Sequence, residues 1–145
     1  MTDNNHSFSH VGICCTDAKR SELFYCEALG FASAEAYNVG NEVSRTMELD
    51  GVKLLSKFLR RPDGISIELL HFDTPDCIGS RERRPMNQFG LTHFSFYVQD
   101  LEAALAKVRE HGGTVHENTR TDLGGLKLIF CTDPDGVRVE LMQRG

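Results

Sequence analysis

Apolar and polar residues alternate strictly in two short stretches of this chain, a period of two that predicts half-buried strands. In the first, Val11, Ile13 and Cys15 share one face and His10, Gly12 and Cys14 the other; in the second, Phe94, Phe96 and Val98 stand opposite His93, Ser95 and Tyr97. A helix pattern of about three turns follows each. Asp17 is placed to N-cap the first helix, which Gly30 ends, and Asp100 to cap the second, which Gly112 or Gly113 ends. Leu101, Ala104, Leu105 and Val108 recur at helical spacing and give the second helix an apolar stripe to lay on a sheet. Two further alternating stretches predict closing strands. Ile65, Ile67 and Leu69 oppose Ser66, Glu68, Leu70 and Phe72, while Val137, Val139 and Leu141 oppose Arg138, Glu140 and Met142. Each closing strand follows a hairpin dipeptide, Asp63-Gly64 or Asp135-Gly136, and before that a further strand, 52–60 or 126–132. Asp133-Pro134 reinforces the second turn.

These patterns are one pattern written twice. Phe8-Ser9-His10-Val11-Gly12-Ile13 matches Leu91-Thr92-His93-Phe94-Ser95-Phe96 at an offset of 83 residues, the interval from His10 to His93. Pro62-Asp63-Gly64-Ile65-Ser66-Ile67-Glu68-Leu69-Leu70 matches Pro134-Asp135-Gly136-Val137-Arg138-Val139-Glu140-Leu141-Met142 at an offset of 72, the interval from Glu68 to Glu140. The fold expected is α+β: a tandem of βαβββ modules, 8–72 and 91–144, joined by a linker, 73–90, in a single domain spanning 8–144. Alternation places His10, Glu68, His93 and Glu140 on the faces turned away from the helices. If the sheets curl into an open, cup-like mixed barrel with the helices outside, all four line the cup. Two imidazoles and two carboxylates are borderline-hard ligands suited to one divalent metal ion.

Composition removes other classes of function. A chain of 145 residues with 40% apolar content builds a real core. Its net charge of −5 and the lack of a basic block longer than Arg83-Arg84 argue against nucleic acid and anionic membrane, leaving a small molecule as the partner. No apolar run reaches the roughly 18 residues of a membrane span, and the opening Met1 to His6 lacks the regions of a secretory leader, so a cytoplasmic location is expected. Five cysteines without CxxC spacing make neither a disulfide framework nor a zinc ribbon, and a small apolar packing role is expected for each. His6, His71, His111 and His116 are read as ordinary polar residues.

The paired His-strands and the two PDGxxxEL endings resemble the vicinal oxygen chelate superfamily, which includes glyoxalase I, methylmalonyl-CoA epimerase, extradiol dioxygenases, fosfomycin-modifying transferases and bleomycin-binding proteins. The resemblance covers residues 8–144 and implies metal ligands at His10, Glu68, His93 and Glu140 in what is commonly a homodimer, whose sites lie within one chain or between two. It implies a lyase or isomerase acting by proton transfer α to a carbonyl, with Ni, Co, Zn or Mn as the ion and Glu68 and Glu140 as alternating catalytic bases. An Fe(II) extradiol-type dioxygenase using His10, His93 and Glu140, or a metal-dependent transferase, is the second reading. A metal-free protein binding an antibiotic or aromatic molecule is the third. Family patterns argue against glutathione, since its Arg and Asn positions are Cys14 and Phe72 here, and against methylmalonyl-CoA, since Glu68 and Thr92-His93 depart from the epimerase pattern. The dioxygenase Tyr position is Phe130.

Two segments offer further candidates. The linker is in the simplest reading a solvated connection, or else Arg81, Arg83 or Arg84 reaches a substrate carboxylate or phosphate. Thr121 to Gly125 reads as a flexible connection rather than a lid. The first module carries 11 extra residues, the difference between the two offsets, expected near Asn38 to Asp50.

Overall fold

The computed structural model describes residues 5–145; residues 1–4, part of the stretch read above as lacking a leader, lie outside it. The first module runs β1 (Val11–Cys14), α1 (Ala18–Leu29), β2 (Ala32–Val39), a 3-10 turn (Asn41–Val43), α2 (Ser44–Met47), β3 (Lys53–Arg60) and β4 (Ser66–Thr74). The second runs β5 (Phe94–Tyr97), α3 (Leu101–Glu110), β6 (Thr114–Val115), a 3-10 turn (Glu117–Thr119), β7 (Thr121–Asp122), β8 (Leu126–Thr132) and β9 (Arg138–Arg144). The helices form where the caps are. Asp17 Oδ1 accepts from the Arg20 amide at 2.9 Å and Asp100 Oδ1 from the Ala103 amide at 3.0 Å, while Gly30 at φ 73° ends α1. At the end of α3 the cap is His111, and Gly112 takes the left-handed turn at φ 84°.

Each module forms its own mixed sheet, in the order β1-β4-β3-β2 and β5-β9-β8-β6, with β7 added beside β8. Among the described residues only the opening strand of each module is parallel to its neighbour, the module's last strand; the other pairs are antiparallel, joined by tight turns at β3–β4, β7–β8 and β8–β9 and by longer connections elsewhere. Register repeats with the sequence: Gly12 lies opposite Glu68, and Ser95 opposite Glu140. Among the described residues the two sheets share no strand pairing and no closed barrel forms, in keeping with the open, cup-like arrangement expected.

One core spans both modules. Ile13, Ile67 and Leu69 of the first sheet and Ile129, Val139 and Leu141 of the second are buried with Phe24 and Leu105 from the two helices. Ile65, expected on the helix-packed face, is instead 40% exposed, because it lies in the turn before β4, where its carbonyl accepts from the Arg61 amide. The modules are joined by directed contacts as well as apolar ones. Tyr25 donates its hydroxyl to Asp133 Oδ2 at 2.8 Å in the interior, and Phe31 meets Phe96 edge to face with the Arg61 guanidinium over both rings. Burial pushes the Asp133 carboxyl above its ordinary range, although Tyr25 and the amides of Asp135 and Val137 all donate to it. The first module's extra length contains α2, tied down where the Val52 amide donates to Ser44 Oγ. Residues 121–125 form a tight β7–β8 hairpin rather than a loose connection, with the Gly125 amide donating to Asp122 Oδ1 at 3.1 Å.

Candidate metal centre

His10 and His93 stand one residue ahead of β1 and β5, where the chain enters the edge of its sheet and the alternation already aims the side chain at the closing strand. His10 Nε2 lies 3.1 Å from Glu68 Oε2, and His93 Nε2 lies 3.6 Å from Glu140 Oε2. The other ring nitrogen is occupied in both. Nδ1 of His10 is 2.8 Å from Ser9 Oγ, and Nδ1 of His93 is 2.8 Å from Thr92 Oγ1, contacts that leave Nε2 as the nitrogen presented to the carboxylate. Phe58 and Phe130 meet the two imidazoles edge to face, each with centroids 5.1 Å apart, and each stands opposite the glutamate in register. These two rings also share the 72-residue offset. Extending the repeat back from the PDG turn reveals them, although no ligand chemistry marks a phenylalanine.

The glutamates are held differently. Ser56, on β3, donates to Glu68 Oε1 at 2.5 Å, whereas Ser95, on β5, donates to Glu140 Oε2 at 2.6 Å, the oxygen that also faces His93. The repeat hides both hydroxyls, since the counterpart of Ser95 is Gly12 and that of Ser56 is Leu128. Both pairs are open to solvent along one side, with His10 and His93 side chains 32% and 27% exposed and Glu68 and Glu140 at 17% and 15%.

Within one chain the structure brings His10 to Glu68 and His93 to Glu140, but not the two pairs to each other. Among the described residues no group of three or more His, Cys, Asp or Glu side chains converges as a metal site. His93 also lines a cavity of about 420 Å³ between the opening ends of the modules, walled by β1 on one side and residues 91–94 on the other. His71 and His116 are engaged elsewhere, near the Cys15 carbonyl and the Thr132 hydroxyl respectively. Burial holds His116 below the ordinary imidazole range. Cys15 and Cys131 are buried, as a packing role requires, and burial pushes both thiols up to about 12. Cys14 departs from that expectation: it is exposed, and its Sγ lies 3.6 Å from Cys77 Sγ.

Residues 7–141 match the model of the Glyoxalase/Bleomycin resistance protein/Dioxygenase superfamily, and the chain belongs to it. An uncharacterized protein of Bacillus subtilis, YwkD, is 33% identical over 140 residues, covering 95% of this chain and 97% of that protein. A probable lactoylglutathione lyase of Synechocystis is 27% identical over 142 residues, covering 95% of this chain and 92% of that protein. The crystal structure of a glyoxalase family protein from Bacillus cereus superposes with a TM-score of 0.85 at 22% identity, covering 99% of this chain and 98% of that one, which establishes the shared fold.

Proposed function

We propose that this chain is a divalent-metal enzyme of the lyase or isomerase kind, acting by proton transfer α to a carbonyl, with His10, Glu68, His93 and Glu140 as ligands and the two glutamates as bases. One observation carries the reading: the same His–Glu pair, with Nδ1 bound to a preceding hydroxyl and a phenylalanine edge-on to the ring, is built twice at repeat-equivalent positions. A structural ion pair has no need of that duplication. The donor set fits Ni, Co, Zn or Mn, because two neutral imidazoles and two carboxylates balance a dication. When bound, such an ion supplies a Lewis acid for two neighbouring substrate oxygens and thereby lowers the cost of removing the adjacent C–H proton.

The protein's own share is to hold and move that proton. Ser95 restrains Glu140 through the oxygen facing His93, leaving Oε1 to accept it, while Ser56 restrains Glu68 through Oε1 and leaves Oε2 toward His10. Whichever glutamate takes the proton from the substrate carbon holds it as a carboxylic acid and can return it to the neighbouring atom, and the second glutamate can do the same from its own position. The dioxygenase reading is weaker, since Phe130, packed on His93, offers no hydroxyl where such a reaction needs one.

Because the two pairs do not meet within one chain, a homodimer completes the set, His10–Glu68 of one copy facing His93–Glu140 of the other at two equivalent sites. Phe89 and Leu91, just ahead of His93, are 99% and 77% exposed and supply apolar surface for that contact. Among the described residues no helix is long and apolar enough to cross a membrane, and we place the protein in the cytoplasm, where its thiols stay reduced.

The test is exchange of substrate α-protons with deuterated solvent, followed by NMR over a panel of α-hydroxyketones, thiohemiacetals and thioesters with each metal in turn. Exchange with at least one substrate is expected under anaerobic conditions. Turnover that requires Fe(II) and consumes O₂ would replace this reading by the dioxygenase one.

A further inference from the structure

Beside His93 the linker and the start of β9 enclose a smaller pocket that the metal centre does not use. Its volume is about 220 Å³, and its walls include Arg83, Arg84, Arg138, Leu91 and Thr92. That is below the roughly 300–1,000 Å³ of a site for a whole drug-sized ligand, so the pocket suits one functional group of a larger molecule.

Its charge is unusual for a chain with a net charge of −5. Among the described residues none of the ion pairs involves Arg83, Arg84 or Arg138. Two of these guanidiniums are nevertheless positioned, by backbone carbonyls rather than carboxylates. Arg138 Nη2 donates to the Arg84 carbonyl at 2.7 Å while its Nη1 makes a weak contact with Met86 Sδ at 3.7 Å, and Arg84 Nη2 donates to the Leu91 carbonyl. Carbonyls orient a guanidinium without cancelling its charge, which leaves the remaining N–H donors of the forks for an anion. Of the acidic residues on the wall, Asp135 is already committed to Arg20, Arg81 and Thr16, and the other is Glu82. Three cations therefore face one uncommitted carboxylate.

Position gives the pocket its meaning. It shares Leu91, Thr92 and Val137 with the cavity that His93 lines, and the Thr92 hydroxyl bonds to His93 Nδ1. We infer that Arg83, Arg84 and Arg138 form an anion subsite for the substrate's non-reacting end, and that the substrate is a small acid carrying a carboxylate or phosphate in addition to its two chelating oxygens. The subsite itself rests only on these residues; its role in substrate choice rests on the metal-enzyme reading above. Binding energy from an anionic tail held in this neighbouring pocket would orient the reacting carbon against the glutamates.

The experiment is titration of the full-length, metal-stripped protein with inorganic phosphate and, separately, with acetate, followed by the backbone amide and arginine Nε–H signals. Saturable shifts at Arg83, Arg84 and Arg138 are expected with one or both anions, and the stronger of the two identifies the tail. Arg83→Gln, an exposed position whose loss leaves the fold intact, and Arg138→Lys, which keeps charge but loses the fork, should each weaken binding about 10-fold, and NaCl should compete. The same titration in His93→Ala separates the two claims: unchanged phosphate affinity there, whatever the fate of the metal, supports the subsite by itself. Binding that requires added metal and vanishes in His93→Ala would place the anion on the ion instead, and no saturable binding of either anion would equally overturn the subsite, while leaving the metal reading to its own test.

Discussion

Replacing Glu68 by Gln is expected to slow α-proton exchange about 10²–10⁴-fold, the range by which a positioned acid–base group contributes to a proton transfer. The substitution is nearly isosteric. The Ser56 hydroxyl that reaches Glu68 Oε1 at 2.5 Å can still donate to an amide oxygen, and Ser56 is itself only 6% exposed, so the surrounding packing remains. What is lost is the carboxylate's capacity to accept and return a proton. Glu140→Gln should show a comparable loss if the two alternate as bases, whereas Ser56→Ala, which loosens the base without removing it, should cost much less. Exchange at the wild-type rate in both glutamine variants would remove the glutamates from the chemistry and leave them, at most, as metal ligands.

The largest stability effect outside the core is expected at Gly136. This residue has φ 92°, and a Cβ there would lie 2.2 Å from the Arg81 carbonyl oxygen, a backbone atom that can yield only if the linker moves. Its repeat counterpart Gly64 has φ 90° with nothing within 4 Å, so the two positions share the backbone strain and differ in the contact. Gly64→Ala should cost about 1–2 kcal/mol from the left-handed backbone alone. Gly136→Ala should cost a further ~1–3 kcal/mol, as for other overpacked sites. Thermal unfolding of the two variants checks the difference. Equal losses would mean that the linker does not rest on the second turn as described. Because Arg81 also reaches Asp135, the same variant should disturb the neighbouring arginines.

Much of this architecture is legible in the residues because its determinants are local or periodic. Asp17 and Asp100 cap their helices, and the two Asp-Gly turns recur with identical bonding: the Gly64 and Gly136 amides donate to the carbonyls three residues back. The pairing of His10 with Glu68, and of His93 with Glu140, follows from alternation plus parallel register. Other features depend on contacts that periodicity does not encode. Alternation alone places Ile65 on the buried face, yet the turn runs through it and the strand begins one residue later, at Ser66. Ser56 and Ser95 perform similar tasks from different strands, so the repeat conceals them rather than revealing them. Alternation places four ligand types on like faces of two sheets, but how those sheets sit relative to each other is decided by Tyr25, Asp133, Phe31 and Phe96 across the module boundary. For the same reason the arginine pocket, assembled from the linker and β9, leaves only a charged dipeptide as its trace in the sequence.

We propose that both His–Glu pairs belong to one metal site, completed by a second copy of the chain. This sharing of one site is tested most directly by elemental analysis of bound metal per chain after loading with Ni, Co, Zn or Mn, in the wild type, His10→Ala, His93→Ala and an exchanged mixture of the two variants. We predict about one divalent ion per chain in the wild type and loss of the ion in each variant. In the mixture, half of the dimers combine the two variants and each of these has one intact site, so about a quarter of wild-type binding should return. No bound metal in the wild type would rule out the metal site, and a mixture that recovers none would rule out its sharing between two copies.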